Sequence, residues 1–235
     1  MANTYFQFKQ FLIEQGNVGM KVTTDGCYFG AVFRPYSTGR ILDIGAGTGL
    51  LSLMVAQRTE VNIDTLELNA DAYNQAKANF NSSPWPEQLS IFHTSLQEFQ
   101  AAITYDQIIC NPPFFVNSQA GQSKNKNQAV HAETLSMEDL AFHASRLLKE
   151  DGEFWVMYPA AEMEQFISKA ESIGFKVSEK HVLRNKEGGP VFRLIAQFRK
   201  AEVNLINTTD VFIKESDGSY SQAFSALLKD FYLHL

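Results

Sequence analysis

The sequence predicts an α/β fold: a mostly parallel sheet with helices on both faces, finished by an antiparallel C-terminal hairpin. Two observations carry that expectation. From Arg40 onward, short apolar strand-like runs alternate with segments of helical apolar spacing, the rhythm of a parallel sheet covered on both sides. After residue 175 the rhythm changes to two strand-like runs joined by a short Gly-Gly-Pro connection, which suits a hairpin.

Taken in order, "RILDIGA" (40–46) is a buried strand running into glycines, and "GLLSLMVAQR" (49–58) is a helix. "VNIDTLEL" (61–68) is a strand, and "NADAYNQAKANF" (69–80) is a helix with Asn69 as its N-cap. "LSIFH" (89–93) and "YDQIICN" (105–111) are the third and fourth strands. "SMEDLAFHASRLLKEDG" (136–152) opens on the capping pattern Ser136-x-x-Asp139 and is expected to remain helical up to Gly152. The strand "EFWVMYP" (153–159) and the helix "AEMEQFISKAESIG" (161–174) follow. The hairpin pairs "FKVSEKHVLR" (175–184) with "VFRLIAQFRK" (191–200) across "NKEGGP" (185–190). The tail "YSQAFSALLKDFYLHL" (220–235) reads as an amphipathic helix docked on the sheet. One domain over 1–235 is expected, with an N-terminal flap or extension (1–38), a core sheet (39–200) and a C-terminal extension (201–235).

Composition narrows the class. The chain of 235 residues is 45% hydrophobic and 20% charged, as in an ordinary soluble globular protein. Its two cysteines, Cys27 and Cys110, show no framework or C-x-x-C spacing, so a reducing cytoplasm is the expected compartment and no metal is expected. No stretch approaches the ~20 apolar residues of a membrane helix, and the N-terminus lacks the layout of a secretory signal. A net charge of −6 argues against unselective nucleic-acid binding and leaves room for local basic patches. Lys124 and Lys126 form one such patch in the long polar loop 117–128, a candidate lid; Arg184, Lys186, Arg193, Arg199 and Lys200 are spread over the hairpin.

Two motifs carry chemistry. "LDIGAGTGLL" (42–51) puts Gly45, Gly47 and Gly49 between a strand and a helix, where glycine lets backbone turn tightly and approach a ligand. The spacing is G-x-G-x-G, with Asp43 leading and Leu50 where a dinucleotide fingerprint needs glycine. Glu67 ends the next strand, where an acid can grip ribose hydroxyls. The second motif is "NPPFF" (111–115), two prolines and two phenylalanines directly after a buried strand. A plain stop needs one proline and no aromatic pair.

The glycine motif resembles motif I of S-adenosyl-L-methionine-dependent methyltransferases, and the whole outline resembles their class I Rossmann-like sheet. Asn111-Pro112-Pro113-Phe114 resembles motif IV of enzymes that methylate planar amino nitrogens. The resemblance implies that Asn111 and the Pro112 carbonyl accept hydrogen bonds from the amine, that Pro113 stiffens the loop, and that Phe114 stacks on a flipped base. Phe115 reads either as a second stacking face or as core. "KVTTDGCYFGAVF" (21–33), "HAETLSMEDLAFHASRLLKEDGEF" (131–154) and "LLKDFYLHL" (227–235) resemble the bacterial tRNA1(Val) (adenine(37)-N6)-methyltransferase family over nearly the whole chain.

That resemblance implies a single-domain monomer that methylates tRNA. It implies cofactor contacts from Asp43, Gly45, Gly47, Gly49, Glu67, Ser95, Leu96, Thr24 and Asp25. It implies RNA contacts from Lys124, Lys126, His131 and Arg193. Thr24-Asp25-Gly26 reads on its own as an Asp-Gly turn, and by resemblance as a flap over the cofactor. There are two departures from the pattern. Ser95 stands where an aspartate commonly meets the adenine amine, and Val130 stands where an arginine commonly precedes His131. The alternatives are methylation of another amino nitrogen, in ribosomal RNA guanine or protein glutamine, and a methyltransferase-like binding module without turnover.

Overall fold

The computed structural model describes residues 3–16, 20–113 and 135–235. Its centre is an eight-stranded sheet in the order β10-β8-β9-β7-β6-β3-β4-β5, formed by β3 (Arg40–Ile44), β4 (Asn62–Glu67), β5 (Leu89–His93), β6 (Tyr105–Cys110), β7 (Leu148–Tyr158), β8 (Lys176–Lys186), β9 (Val191–Arg199) and β10 (Asn207–Lys214). β9 runs antiparallel to both of its neighbours, and the other pairings in this sheet are parallel. Chain order reverses between β3 and β6, the switch point beyond whose carboxyl ends open α/β sheets bind their ligands.

Side chains alternate across the sheet and divide the core in two. Ile41, Ile109, Trp155, Met157 and Ile195 face a core completed by α1 (Thr24–Val32), α2 (Leu50–Ala56) and α3 (Ala70–Asn81). Leu42, Ile108, Phe154, Val156 and Ala196 face the other core, against α4 (Met137–Leu147) and α5 (Ala160–Ser172). Burial on both faces is why these strands read as near-continuous apolar runs.

Four features differ from the sequence expectation. Thr24-Asp25-Gly26 is not an isolated Asp-Gly turn; it is the first turn of α1, whose N-cap Thr23 accepts a 3.2 Å hydrogen bond from the Gly26 amide. α4 keeps its expected start, with Ser136 Oγ accepting from the Asp139 amide at 3.0 Å, but ends at Leu147 instead of Gly152. Tertiary pairing takes the remainder: Leu148 pairs with Tyr105, Lys149 meets Asp106 at 2.7 Å, and the Leu148 carbonyl accepts from Lys200 Nζ at 2.9 Å. Within 201–235, β10 adds an edge strand beside β8, and the expected tail helix shortens to α6 (Gln222–Leu228), packed on α1 and β10.

The fourth feature is an antiparallel hairpin of β1 (Tyr5–Gln7) and β2 (Leu12–Glu14). It joins the far end of the chain: Phe8 bridges Tyr232, and the Lys9 amide donates to the Phe231 carbonyl at 2.8 Å. Among the described residues, no helix is long and apolar enough to cross a membrane.

Candidate active site at the glycine turn

β3, β4 and β6 finish side by side. Ile44 pairs with Leu66 on one flank and with Cys110 on the other, so the glycine turn, Glu67 and Asn111 arrive at one edge. The turn is pinned by its own backbone. The Gly45 and Ala46 amides donate to the Leu66 carbonyl at 2.9 and 3.0 Å, and the Gly49 amide donates to the Ala46 carbonyl at 2.8 Å.

The three glycines serve different ends. Gly45 and Gly47 have φ of 83° and 56°, and a Cβ on either would project into open space. That space is the cradle a ligand can enter. Gly49 has φ of 84°, and a Cβ there would lie 2.5 Å from the Phe80 ring, so close packing forbids any side chain. Glu67 closes the turn, with one carboxylate oxygen accepting from the Gly47 amide at 2.9 Å and the other from the Asn69 amide at 2.8 Å.

A pocket over the turn is lined by Met20, Lys21, Thr23, Gly45, Ala46, Gly47, Thr48, Leu50, Leu51 and Asn111. The side-chain oxygen of Asn111 is buried there and finds no partner among the described residues. A buried acceptor without a donor costs about 1–3 kcal/mol, so it marks a place where a donor is meant to arrive. Pro112 is buried and Pro113 exposed.

Beneath the turn, Asp43 is 1% exposed. One of its oxygens accepts from Ser52 Oγ at 2.7 Å, and Ser52 in turn meets Thr65 Oγ1 at 2.9 Å. Desolvation pushes its carboxyl up to about 7; the Ser52 bonds oppose the shift and the Glu67 charge adds to it. Burial, reinforced by Asp43, also pushes the Cys110 thiol well up, which makes it inert as a nucleophile.

The other expected contacts scatter. Thr24 and Asp25 are not lining residues. Asp25 instead holds Arg193, whose Nε donates to it at 2.7 Å, and an Arg193 amino group donates to the Phe192 carbonyl at 2.9 Å. Ser95 caps a local turn, its Oγ accepting from the Glu98 amide at 3.2 Å, and Leu96 is buried in the second core. Phe114, Phe115, Lys124, Lys126, Val130 and His131 lie outside the described residues.

Comparison with known protein sequences points to one family. The methyltransferase small domain model matches residues 30–178. A tRNA1(Val) (adenine(37)-N6)-methyltransferase of Dyadobacter fermentans is 44% identical over 98% of both chains. One of Cytophaga hutchinsonii is 39% identical over the full length of both. The chain belongs to the tRNA1(Val) (adenine(37)-N6)-methyltransferase family.

Fold comparison gives the class I S-adenosylmethionine methyltransferase architecture. A predicted O-methyltransferase of Agrobacterium tumefaciens superposes with a TM-score of 0.66 at 15% identity, over 87% of this chain and 95% of that one. The glycopeptide N-methyltransferase MtfA, complexed with S-adenosylmethionine, superposes at 0.56 and 11% identity, over 76% and 93%.

The site residues present in this family member fit a cofactor with one cationic and one carboxylate end. An open glycine cradle offers backbone amides, Asp43 lies below with its second oxygen unpartnered among the described residues, and Glu67 stands at the rim. Sequence reasoning missed the supports Ser52, Thr65 and Asn79. Each had a signal. Thr65 is polar inside a strand buried on both faces, and Asn79 falls on the apolar stripe Ala72, Ala76, Phe80 of its helix.

Proposed function

We propose that this protein transfers a methyl group from S-adenosyl-L-methionine to N6 of an adenine in tRNA, adenine 37 of tRNA1(Val). One observation carries the reading: the carbonyl oxygen of Asn111, buried and without a partner among the described residues, in the same pocket as Gly45–Thr48. The identity of 44% over nearly full length to a relative bearing that name supports the substrate.

The cofactor supplies an electrophilic methyl on a sulfonium. This chain's residues do the rest. Asp43, Gly45, Gly47 and Gly49 shape the floor, and Glu67 is placed for the ribose hydroxyls. Ser95 and Leu96 follow β5, whose last residue His93 pairs with Glu67, and are proposed for the adenine side. An exocyclic adenine amine shares its lone pair with the ring and is a weak nucleophile. The Asn111 side chain and the Pro112 carbonyl would accept its two N–H bonds, hold the nitrogen in place and turn the lone pair outward. Pro113 limits backbone motion and Phe114 stacks on the flipped base. The new N–C bond would form as the sulfonium C–S bond breaks, with S-adenosylhomocysteine as the leaving thioether. The methylated nitrogen, acidic once cationic, would lose its extra proton to water. Positioning and electrostatics supply the catalysis, and no strong base is required. Lys124, Lys126, His131 and Arg193 are the proposed RNA contacts. We assign the protein to the cytoplasm, the compartment of its proposed tRNA substrate, as a monomer in one domain.

The test is incubation of radiolabelled cofactor with unmodified total tRNA, followed by nucleoside analysis. Label in N6-methyladenosine of tRNA1(Val) is the expected result. Label only in ribosomal RNA or protein would move the substrate to another amino nitrogen, and cofactor binding without transfer would leave a binding module.

A further inference from the structure

We propose that Asn79 and Gln15 form a positioning relay that holds the two walls of the cofactor pocket at a fixed spacing. The inference rests on the reading of that pocket as the cofactor site. One wall is the glycine turn through Thr48, and the other is the segment Met20, Lys21 and Thr23. Among the described residues, no strand pairing joins them. A chain of side-chain hydrogen bonds does.

Asn79 is 2% exposed and sits on α3 behind the turn. Its Nδ2 donates to the Thr48 carbonyl at 2.8 Å and to the Glu14 carbonyl at 2.9 Å, while its Oδ1 accepts from the Glu14 amide at 3.0 Å. One amide therefore grips the first wall and the end of β2 together. The next residue, Gln15, is 4% exposed. Its amide and Nε2 donate to the carbonyls of Thr4 and Asn3, which fixes it to the hairpin, and its Oε1 accepts from the Val22 amide at 2.8 Å. Val22 lies between Lys21 and Thr23, inside the second wall.

Burial alone does not account for these bonds. Phe8, Phe11 and Ile13 already seat the hairpin in the core, and such contacts are non-directional. Hydrogen bonds between buried amides fix separations to tenths of an ångström. A ligand clasped between two walls depends on that separation, because a displacement of ~1 Å is enough to lose most of a fitted site's advantage.

The experiment measures the affinity of S-adenosylhomocysteine by calorimetry, with thermal midpoints, for N79A, Q15A, the double variant and Q88A. Gln88 is the structural control: its Nε2 donates to the carbonyls of Thr59 and Val61, both at 2.7 Å, away from the pocket lining. We expect N79A and Q15A each to weaken binding by about tenfold, the equivalent of one lost buried hydrogen bond. The double variant should fall well short of the product, since breaking either link already frees the wall. Q88A should lower the midpoint comparably and leave affinity within about twofold. Unchanged affinity in N79A and Q15A, a fully multiplicative double variant, or equal weakening in Q88A would overturn the relay. Should N79A not fold, Q15A against Q88A makes the same comparison. Wild-type protein that does not bind the probe would instead overturn the proposed function beneath it.

Discussion

Asp43 takes a 2.7 Å hydrogen bond from Ser52 on one carboxylate oxygen, while its other oxygen is buried without a partner among the described residues. A carboxylate in that position is short of compensation for its charge. Desolvation raises its pKa from 3.8 to about 7, against the Ser52 bonds and with the help of Glu67. The groups facing it are Ser52 from α2, Thr65 (through Ser52) and Glu67 from β4, and Cys110 from β6.

The sign follows from linkage. The folded pKa exceeds the unfolded one, so the stabilisation is complete below the unfolded value and is lost as pH rises through about 7. The protein without ligand should therefore lose thermal stability from about pH 4 to about pH 7 in excess of an Asp43→Asn variant. Binding of a cationic cofactor should run the other way and tighten as Asp43 ionises. Thermal midpoints and calorimetric affinities across that range check both, and parallel profiles for the two proteins would remove Asp43 as the cause.

Replacing Asn111 by Ala removes the orphaned oxygen without touching the glycine cradle. Methyl transfer should fall by at least about a hundredfold, the scale seen when an orienting polar group is lost. Cofactor affinity should stay within a few-fold. A collapse of affinity with intact turnover per bound cofactor would reverse the role assigned to this residue.

Gly49→Ala meets two obstacles, a φ of 84° and a Phe80 ring carbon 2.5 Å from the new methyl. We expect a loss of roughly 2 kcal/mol in urea unfolding, from left-handed strain plus overpacking. Phe80→Leu in the same chain should recover the packing share only.

Arg58 holds the end of α1 from beneath. Its guanidinium donates to the carbonyls of Gly30, Ala31 and Phe33, and it lies 5.4 Å over the Phe231 ring. Burial lowers its pKa to about 10, which leaves it charged at neutral pH. Arg58→Leu strands these three carbonyls and that of Met54, to which Nε donates at 3.2 Å, and should cost about 3 kcal/mol, measured by denaturant unfolding. Lysine should restore less than half, because it lacks the planar fork.

What could be read in advance was what repeats locally. The strand–helix alternation, the caps at Asn69 and Ser136, the hairpin at 185–190 and the glycine turn each sit inside a short window of sequence. The helix beginning at Thr24 was hidden because Gly26 and Gly30 look like breakers, whereas Thr23 caps the segment and α2 packs closely on it. The end of α4 was illegible because Tyr105, Asp106 and Lys200 decide it from across the sheet. β10 depends on β8 for its ladder of strand pairing, and its exposed polar half carries no alternation strong enough to mark a strand. In the candidate site, the chemistry-bearing residues stood out, and their supports did not. Asn79 and Ser52 matter through contacts with distant backbone or with a buried acid, and neither is visible in composition.

The bridge between Phe8 and Tyr232 also sets an order of events during synthesis. β1 and β2 leave the ribosome well before residues 230–232, yet the contacts that hold the hairpin there form only when those residues have emerged. Since β2 carries one link between the pocket walls, a nascent chain can complete its sheet well before it can clasp a nucleoside. Competence for ligand should therefore arrive after the central sheet has formed, once residues 230–232 have emerged.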